Sequence, residues 1–284
     1  MPKYGILSNP HYPETGRLAA GLHAVLEQRG IDTWSSTAER EETEAQFPAD
    51  LDMLITLGGD GTMLRAAHLR AANGTPILGI HMGRLGFLAE VRLSEWEASL
   101  DRVCNGDYWL EERAMLRCHL LRAGQTLGPW EALNEAVVSR CGMGRMVQLA
   151  TYVDGGYLTT YMADGLIVAT ATGSTAYAMS AGGAILPPEL PNMILVPICP
   201  HLSMDRTLVL SSGAQVTIQV ESVSEGLVVV DGVSHAELVP GDTIILSKSP
   251  HVTRFVRLYD RRQVYETLME RLNLRKVAKP DDAG

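Results

Sequence analysis

The chain has 284 residues and a formal net charge of −9, with 46% hydrophobic and 20% charged residues. This length predicts a substantial core and two domains. No apolar run reaches the roughly 18 residues of a membrane span, and an acidic chain without a basic stripe is not typical of a nucleic-acid-binding protein. We therefore expect no membrane or nucleic-acid partner, and the absence of a signal-peptide core favours a cytoplasmic location.

The first hundred residues alternate between strand-like and helix-like segments. Three apolar runs predict strands, at residues 4–9, 51–59 and 75–80. The apolar spacing in residues 16–30 and 62–74 predicts two helices, each of which ends at a glycine. Alternation of this kind indicates a parallel sheet covered by helices, and we assign residues 1–107 to this α/β domain.

From about residue 108 the pattern changes to short strands. Residues 146–162 alternate about an Asp-Gly-Gly turn, which is typical of a β-hairpin. Further strands are predicted at 214–222, 226–232 and 242–250. We assign residues 108–249 to a predominantly β domain, and residues 250–284 to a C-terminal segment with a helix that packs back on the first domain. The overall fold class is α+β.

The four cysteines are scattered along the chain, at Cys104, Cys118, Cys141 and Cys199. Without a C-x-x-C pair, this spacing argues against structural zinc and against a disulfide framework. We expect four buried free thiols.

Residues 58–62 read Gly-Gly-Asp-Gly-Thr, between a predicted buried strand and a helix. Successive backbone N–H groups at such a helix start form an anion-binding nest, although the loop matches neither Walker A nor G-x-G-x-x-G. A tight turn with Asp60 or Thr62 as helix cap is the plain alternative, but three glycines in four positions exceed what a cap requires. Asp60 would hold a metal ion on the phosphates or accept a proton from an attacking hydroxyl, and either role indicates phosphoryl transfer.

A second polar segment spans residues 163–183. After the strand at 166–169, hydroxyl groups fall at the start of a short helix, where they suit polar ligand atoms, and Tyr177 could place its ring against a base. Upstream, Asn134 stands beside Glu135, and a carboxylate can accept two ribose hydroxyls. Taken alone, each feature also fits a purely structural role, as a capped helix or a strand-end pair.

Together these segments resemble the NAD kinase family. The matching motifs are GGDGTMLRAA at 58–67, the Asn134–Glu135 pair and DGLIVATATGSTAYAMSAGG at 164–183, supported by GRLGFLAEV, NMILVPICPHLS and a late VDG. The glycine loop is shared by a wider superfamily that includes phosphofructokinases and diacylglycerol kinases, whereas the threonine-rich motif is more specific. The resemblance implies transfer of the terminal phosphoryl group of ATP, or of polyphosphate, to the 2′-hydroxyl of the adenosine ribose of NAD, giving NADP.

The resemblance also implies roles for individual residues. Asp60 is the general base, Asn134 and Glu135 grip the nucleoside, Arg145 lies near the nucleotide and Asp164 near the nicotinamide end. Contacts of the glycine loop with substrate are implied for Gly59, Gly61, Thr62 and Arg65. The dinucleotide site is lined by Thr172, Thr175, Ala176, Tyr177, Ala178, Met179 and Ser180. The resemblance further implies that the domain at residues 108–249 binds NAD and mediates oligomerisation, in a homodimer or homotetramer. A divalent cation, Mg²⁺, is expected to accompany the donor, and its protein ligands remain unassigned.

Two other functions remain open from the sequence. A kinase of the wider superfamily acting on a lipid or sugar hydroxyl would share the glycine loop, although no basic amphipathic segment favours a lipid. A non-catalytic NAD(H)-binding regulator would need no base, so the presence of Asp60 disfavours it.

Overall fold

The computed structural model describes residues 1–38, 47–83, 86–142 and 145–260, which form two compact units. Unit 1 comprises Met1–Leu69, Thr75–Glu111 and the described residues from Phe255 onward. Unit 2 comprises Arg70–Gly74 and Glu112–Arg254. The helix expected near the C-terminus lies outside the described residues.

Unit 1 is built around a parallel sheet. Its elements are β1 (Lys3–Ser8), α1 (Thr15–Gln28), β2 (Asp32–Thr37), β3 (Met53–Gly58), α2 (Asp60–Arg70), β4 (Ile77–His81), β5 (Val91–Arg92), a 3₁₀ turn (Leu93–Glu95) and α3 (Trp96–Cys104). The strands lie in the order β4-β3-β1-β2, all parallel, with β5 beside β4. On the side of β4 that faces away from β3, Ile77 pairs with Phe255, near the end of the last described strand.

The apolar pattern explains this arrangement. Every residue of β3 is buried, as expected for a continuous apolar strand that is covered on both faces. On α1, Leu18, Leu22 and Leu26 form the buried stripe that packs into the core of unit 1. The expected α/β architecture with a parallel sheet is confirmed.

Unit 2 is a β-structure with one short helix. Its elements are β6 (Trp109–Arg122), β7 (Gln125–Ala132), β8 (Glu135–Arg140), β9 (Val147–Val153), β10 (Gly156–Ala163), β11 (Gly165–Thr170), a 3₁₀ turn (Gly173–Thr175), α4 (Tyr177–Ser180), β12 (Met193–Ile198), β13 (Leu208–Leu210), β14 (Gln215–Ser222), β15 (Gly226–Val230), β16 (Val233–Glu237) and β17 (Thr243–Arg257). One six-stranded sheet has the order β13-β12-β11-β8-β15-β16, and a second antiparallel run has the order β10-β9-β14-β17. Both β6 and β17 continue into unit 1. The predominantly β second part is therefore confirmed.

The six-stranded sheet of unit 2 is covered on both faces. Val138, Val168 and Leu195 point into a core shared with Leu149 and Val216 of the other strands. The alternate residues pack in a second cluster under the segment that follows β11, at Val137, Ile167, Val196, Ala178 and Leu186. Because successive side chains of a strand face opposite ways, this sheet supports a core on one face and the threonine-rich segment on the other.

The cysteine expectation is wrong in part. Cys118 is buried in the core of unit 2, but Cys104 at the end of α3 is only half-buried. Cys141 and Cys199 are exposed, because each follows the last residue of a strand, β8 and β12 respectively. Of the helices in the described ranges, none is long and apolar enough to cross a membrane.

Tyr161 provides a test of the unit 2 core. Its ring is fully buried, its hydroxyl has no hydrogen-bond partner within the described residues, and burial raises its pKa to about 12. A buried unpaired hydroxyl costs about 1–3 kcal/mol. Replacement Tyr161→Phe is therefore expected to raise the free energy of unfolding by about 1 kcal/mol, measured by denaturant unfolding at pH 7.

The matched control is Tyr157→Phe, which removes an exposed hydroxyl that is 3.0 Å from Thr160 Oγ1. This variant is expected to change the free energy of unfolding by less than about 0.5 kcal/mol. A clear loss of stability in Tyr161→Phe alone would show that the buried hydroxyl makes a stabilising bond, contrary to the expectation.

Candidate active site

The glycine loop joins β3 to α2 at the carboxyl end of the parallel strands. β3 ends at Gly58 and α2 begins at Asp60, so this carboxylate stands in the first helical turn, where negative charge is favoured. The N–H of Thr62 bonds Gly59 O at 3.0 Å, and Asn9 Nδ2 donates to Thr62 Oγ1 at 3.2 Å. Thr62 is buried, whereas a Cβ added at Gly61 would meet open space. The loop therefore has a fixed inner side and an open outer side at Gly61.

The carboxylate of Asp60 is held by backbone. Its Oδ2 accepts the N–H of Phe87 at 2.7 Å, and its Oδ1 accepts the N–H of Leu88 at 3.1 Å. A Cβ on Gly86 would lie 2.2 Å from Oδ1, so only glycine at this position permits the close approach. Each oxygen keeps further lone pairs that could accept a proton or bind a cation.

A buried guanidinium anchors the turn that holds Asp60. Arg257 Nη1 donates to Leu88 O at 2.7 Å, and its Nε donates to Glu111 Oε2 at 2.7 Å. Glu90 Oε2 lies 3.9 Å from Arg257 Nη1. Burial raises the pKa of Glu90, and the charge of Arg257 opposes that rise. Asp60 is thus oriented through Leu88 by side chains of the same unit.

In unit 2, Asp231 organises the Asn134–Glu135 pair. Its carboxylate accepts three backbone N–H groups, from Leu133 at 2.7 Å and from Asn134 and Glu135 at 2.9 Å each. Asp231 itself lies in the turn between β15 and β16 with a φ of 44°. The pair therefore begins β8 in a fixed backbone conformation.

Glu135 has an unusual environment for a carboxylate. It is only 8% exposed, and its Oε2 has no hydrogen-bond partner among the described residues. Burial and then the charge of Asp231 raise the pKa of Glu135 to about 8, against the opposing effect of the Tyr177 backbone N–H. In the free protein this carboxyl is therefore largely protonated at neutral pH.

The segment after β11 packs directly against this pair. A Cβ on Gly173 would lie 2.1 Å from Asn134 O, so glycine is needed for the contact. Ser174 is fully buried, donating to Ala171 O at 2.6 Å and accepting the Leu186 N–H at 2.9 Å. These contacts fix the segment beside Asn134 and Glu135.

The dinucleotide-site residues predicted in this segment divide by exposure. Thr172 and Ala178 are buried, and Thr172 Oγ1 accepts a hydrogen bond from Arg113 Nη1 at 3.1 Å. The other five are partly or fully accessible, namely Thr175, Ala176, Tyr177, Met179 and Ser180. Tyr177 is 45% exposed, which leaves its ring available to a ligand.

Asp164 and Arg145 do not join this group within one copy of unit 2. Asp164 precedes β11 and forms an ion pair with Arg140 at 2.6 Å, and the exposed Arg145 follows β8 at the same end. Glu135 pairs with Ala169 at the opposite end of the same two strands. The five residue steps from Asp164 to Ala169 separate the two groups by about 17 Å.

Sequence reasoning missed four residues that shape these sites: Gly86, Arg113, Asp231 and Arg257. Each acts on a partner distant in sequence, as Arg257 does on Leu88. The Val230-Asp231-Gly232 turn was visible as a motif, but its contact with the Asn134 backbone was not. An acidic residue before glycine at a hairpin turn is a weak signal that could have directed attention to it.

The chain matches two protein-family models and several known proteins. Models of the ATP-NAD kinase N-terminal domain and the ATP-NAD kinase C-terminal domain match residues 14–108 and 133–258. The chain is 41% identical over 272 residues to the NAD kinase of Chloroflexus aggregans, and this alignment covers 96% of this chain and 99% of the relative. It is also 41% identical to the NAD kinase of Carboxydothermus hydrogenoformans, covering 90% of this chain and 86% of the relative.

The chain belongs to the NAD kinase family. Solved structures of this enzyme family share the fold. Yeast NADH kinase complexed with NADH superposes with a TM-score of 0.84 at 25% identity, covering 99% of this chain and 90% of that one. The NAD kinase from Archaeoglobus fulgidus in complex with ATP gives 0.77 at 25% identity, covering 95% and 98%.

The raised pKa of Glu135 predicts a pH-dependent stability. Because the folded pKa of about 8 exceeds the ordinary value of 4.5, this group stabilises the free fold fully below pH 4.5, and the contribution is lost as pH rises through 8. Replacement Glu135→Gln keeps the shape and removes the titration. Without nucleotide, the variant is expected to be more stable than wild type by a few kcal/mol at pH 9, with a smaller difference at pH 5.

Denaturant unfolding at several pH values from 5 to 9 measures this difference. The control is Glu189→Gln, whose carboxylate is exposed, and which is expected to follow the wild-type pH dependence. A difference between Glu135→Gln and wild type that does not change with pH would contradict the expectation.

Proposed function

We propose that this enzyme transfers the terminal phosphoryl group of ATP, or of polyphosphate, to the 2′-hydroxyl of the adenosine ribose of NAD, giving NADP. The family and the relatives named NAD kinase support the acceptor. A family member in complex with ATP supports the donor. The observation that carries the mechanism is the Asp60 carboxylate, fixed by two N–H groups at the open end of a glycine loop.

Asp60 is proposed as the general base. A ribose hydroxyl ionises far above neutral pH, so a positioned carboxylate that takes its proton during attack accelerates transfer by about 10²–10⁴. The bonds from Phe87 and Leu88 hold the carboxylate in one orientation while leaving lone pairs free for that proton. Alignment and charge neutralisation supply the rest, because phosphoryl transfer needs little covalent assistance.

Asn134 and Glu135 are proposed to hold the adenosine ribose. The Oε2 atom of Glu135, which lacks a partner in the described part of the chain, offers a buried hydrogen-bonding position for a hydroxyl. A protonated carboxyl can both donate and accept, so it can bind a diol without placing a full negative charge there. The exposed ring of Tyr177 supplies a flat face for a base or nicotinamide.

Mg²⁺ is proposed to accompany the donor phosphates, where it neutralises charge. This ion often takes one or two protein carboxylates and fills its remaining positions with phosphate oxygens and waters. Asp60 is the carboxylate in the glycine loop that could serve as such a ligand. Across the described ranges no cluster of three or more His, Cys, Asp or Glu side chains could hold a metal.

We also propose that the protein forms a homodimer or homotetramer in which copies complete each other's sites. Asp164 lies about 17 Å from Glu135 along strands whose two faces are both covered, and Arg145 follows β8 at the Asp164 end. The edge strands β13 and β16 carry exposed apolar residues, Val209 and Val233. Exposed strand edges of this kind are ready to pair with another chain.

The first test of the proposed reaction is conversion of NAD to NADP by the purified protein with Mg²⁺-ATP, read with an NADP-specific dehydrogenase. Asp60→Asn is expected to lower kcat by at least about 10²-fold while NAD still binds, because the base is lost. Gly86→Ala is expected to lower kcat as well, since its Cβ would displace the Asp60 carboxylate.

Asp50→Asn is the control for this experiment, because it removes an exposed carboxylate of unit 1 that pairs only with Lys3 among the described contacts. It should keep wild-type turnover. Near-normal turnover of Asp60→Asn would reassign this residue to loop structure. No NADP from wild type with ATP or with polyphosphate would favour another hydroxyl acceptor or a regulator.

A mixing experiment tests the shared site. Asp60→Asn and Asp164→Asn are each expected to lose most activity, but a mixed oligomer contains sites in which an intact Asp60 meets an intact Asp164 from another copy. Co-expression with two affinity tags, followed by isolation of the mixed species, should restore a substantial fraction of activity. Isolated mixed oligomers that stay inactive, or a monomer in sedimentation, would contradict the shared site.

A further inference from the structure

Unit 1 contains a cavity whose lining residues have no role in the mechanism proposed above. A cavity of about 710 Å³ is lined by His81, Met82, Gly83, Arg92, Leu93 and Ser94. These residues occupy the carboxyl ends of β4 and β5 and the 3₁₀ turn that follows. Ligands of open parallel sheets bind at this edge of the strands.

His81 has a buried imidazole ring whose two nitrogens lack hydrogen-bond partners among the described residues. It is 8% exposed, and neither ring nitrogen makes a hydrogen bond within the described residues, although the Gly83 backbone lies near enough to affect its pKa. Burial lowers the pKa of His81, which favours the neutral ring in the free protein. Leaving such a group unpaired costs about 1–3 kcal/mol, which a ligand that bonds the ring would recover.

The charges around His81 are mixed. Arg92 is its register partner on β5 and lowers its pKa, whereas the carboxylates of Asp60 and Glu95 raise it. Ser94 adds a hydroxyl to the cavity wall. A guanidinium, an imidazole and a hydroxyl together are donors suited to phosphate oxygens.

The cavity adjoins the glycine loop. His81 pairs with Gly58 across β3 and β4, and the N–H of Met82 donates to Gly58 O at 3.1 Å. Asp60 is close enough for its charge to act on the His81 ring. A phosphate chain with its terminal group at Asp60 would therefore find these donors beside its next phosphates.

We propose that His81 and Arg92 bind the leaving group of the phosphoryl donor, which is the phosphate chain that remains after the terminal phosphoryl group is transferred. This chain is linear and is either attached to a nucleoside or free as inorganic polyphosphate. The assignment rests on the proposed function, because the direction of the chain is set by Asp60. Bonds from these two side chains hold the oxygens of the leaving phosphates, which gain charge during transfer. The bound anion favours the protonated imidazole, so donor binding is expected to raise the pKa of His81.

Two variants with matched controls test the site. In His81→Leu and Arg92→Ala, the KM for ATP and for tripolyphosphate as donor is expected to rise about tenfold, with the KM for NAD changed less than twofold. His81→Asn keeps a side-chain donor and should recover part of the loss. Arg17→Ala removes a charge from the exposed face of α1 and should leave all values unchanged.

A direct binding measurement separates this site from the reaction. Calorimetry of the full chain with inorganic tripolyphosphate and no NAD is expected to show about tenfold weaker binding in both variants. Histidine ring NMR, with the His81 signal assigned by its loss in His81→Asn, should show the pKa of His81 rising when tripolyphosphate is added.

Unchanged tripolyphosphate affinity and donor KM in both variants would overturn the site and leave NAD phosphorylation by wild type intact. An equal rise in the KM for NAD would also overturn it, because the residues would then act on the acceptor. Conversely, weakened tripolyphosphate binding in a protein that makes no NADP would refute the proposed reaction and keep the anion site. Donor KM values that rise for ATP but not for tripolyphosphate would overturn a phosphate site in favour of nucleoside contacts.

Discussion

The chemistry proposed for this protein depends on one constraint, the fixed orientation of the Asp60 carboxylate. A side chain at the start of a helix beside an open glycine has several rotamers available. The N–H groups of Phe87 and Leu88 select one of them, and the missing side chain of Gly86 allows the approach. Arg257 bonds Leu88 O in the same turn, so the orientation of the Asp60 carboxylate depends on a residue almost two hundred positions later in the chain.

Unit 2 uses the same device for a different purpose. The carboxylate of Asp231 binds three successive N–H groups and thereby fixes the backbone from which Asn134 and Glu135 project. In both units a carboxylate and a short run of backbone donors define the candidate site. In unit 1, Gly86 permits the close approach of the Asp60 carboxylate, whereas in unit 2, Gly173 permits the segment after β11 to approach Asn134 O. The difference lies in which group is proposed to meet the ligand. In unit 1 it is the Asp60 carboxylate itself, and in unit 2 it is the side chains of Asn134 and Glu135, whose backbone Asp231 holds.

Local patterns predicted much of this fold. Neighbouring residues alone determine three of these patterns: the apolar run of β3, the apolar stripe on α1 and the turn between β9 and β10. The structure agrees with each. The GGDGT loop and the Asn134–Glu135 pair were also visible, because their chemistry lies within a few positions. The hydrogen bonds of Asp231 to the Leu133–Glu135 backbone and of Arg257 to Leu88 were not visible, since bonds between distant segments leave no periodic pattern in the sequence. The exposed Cys141 and Cys199 were missed for a related reason: composition does not tell where a strand ends.

The path of the chain has a consequence for the order in which the protein is made. The edge of β4 is completed by Phe255, and the anchor of the Asp60 turn is Arg257, so unit 1 needs residues that leave the ribosome after nearly all of unit 2. Unit 2 is almost contiguous, from Glu112 to Arg254, and can reach its native contacts first. During synthesis Ile77 of β4 therefore stays without its strand partner, and the turn that bonds Asp60 gains its Arg257 contact only when the last described strand is made.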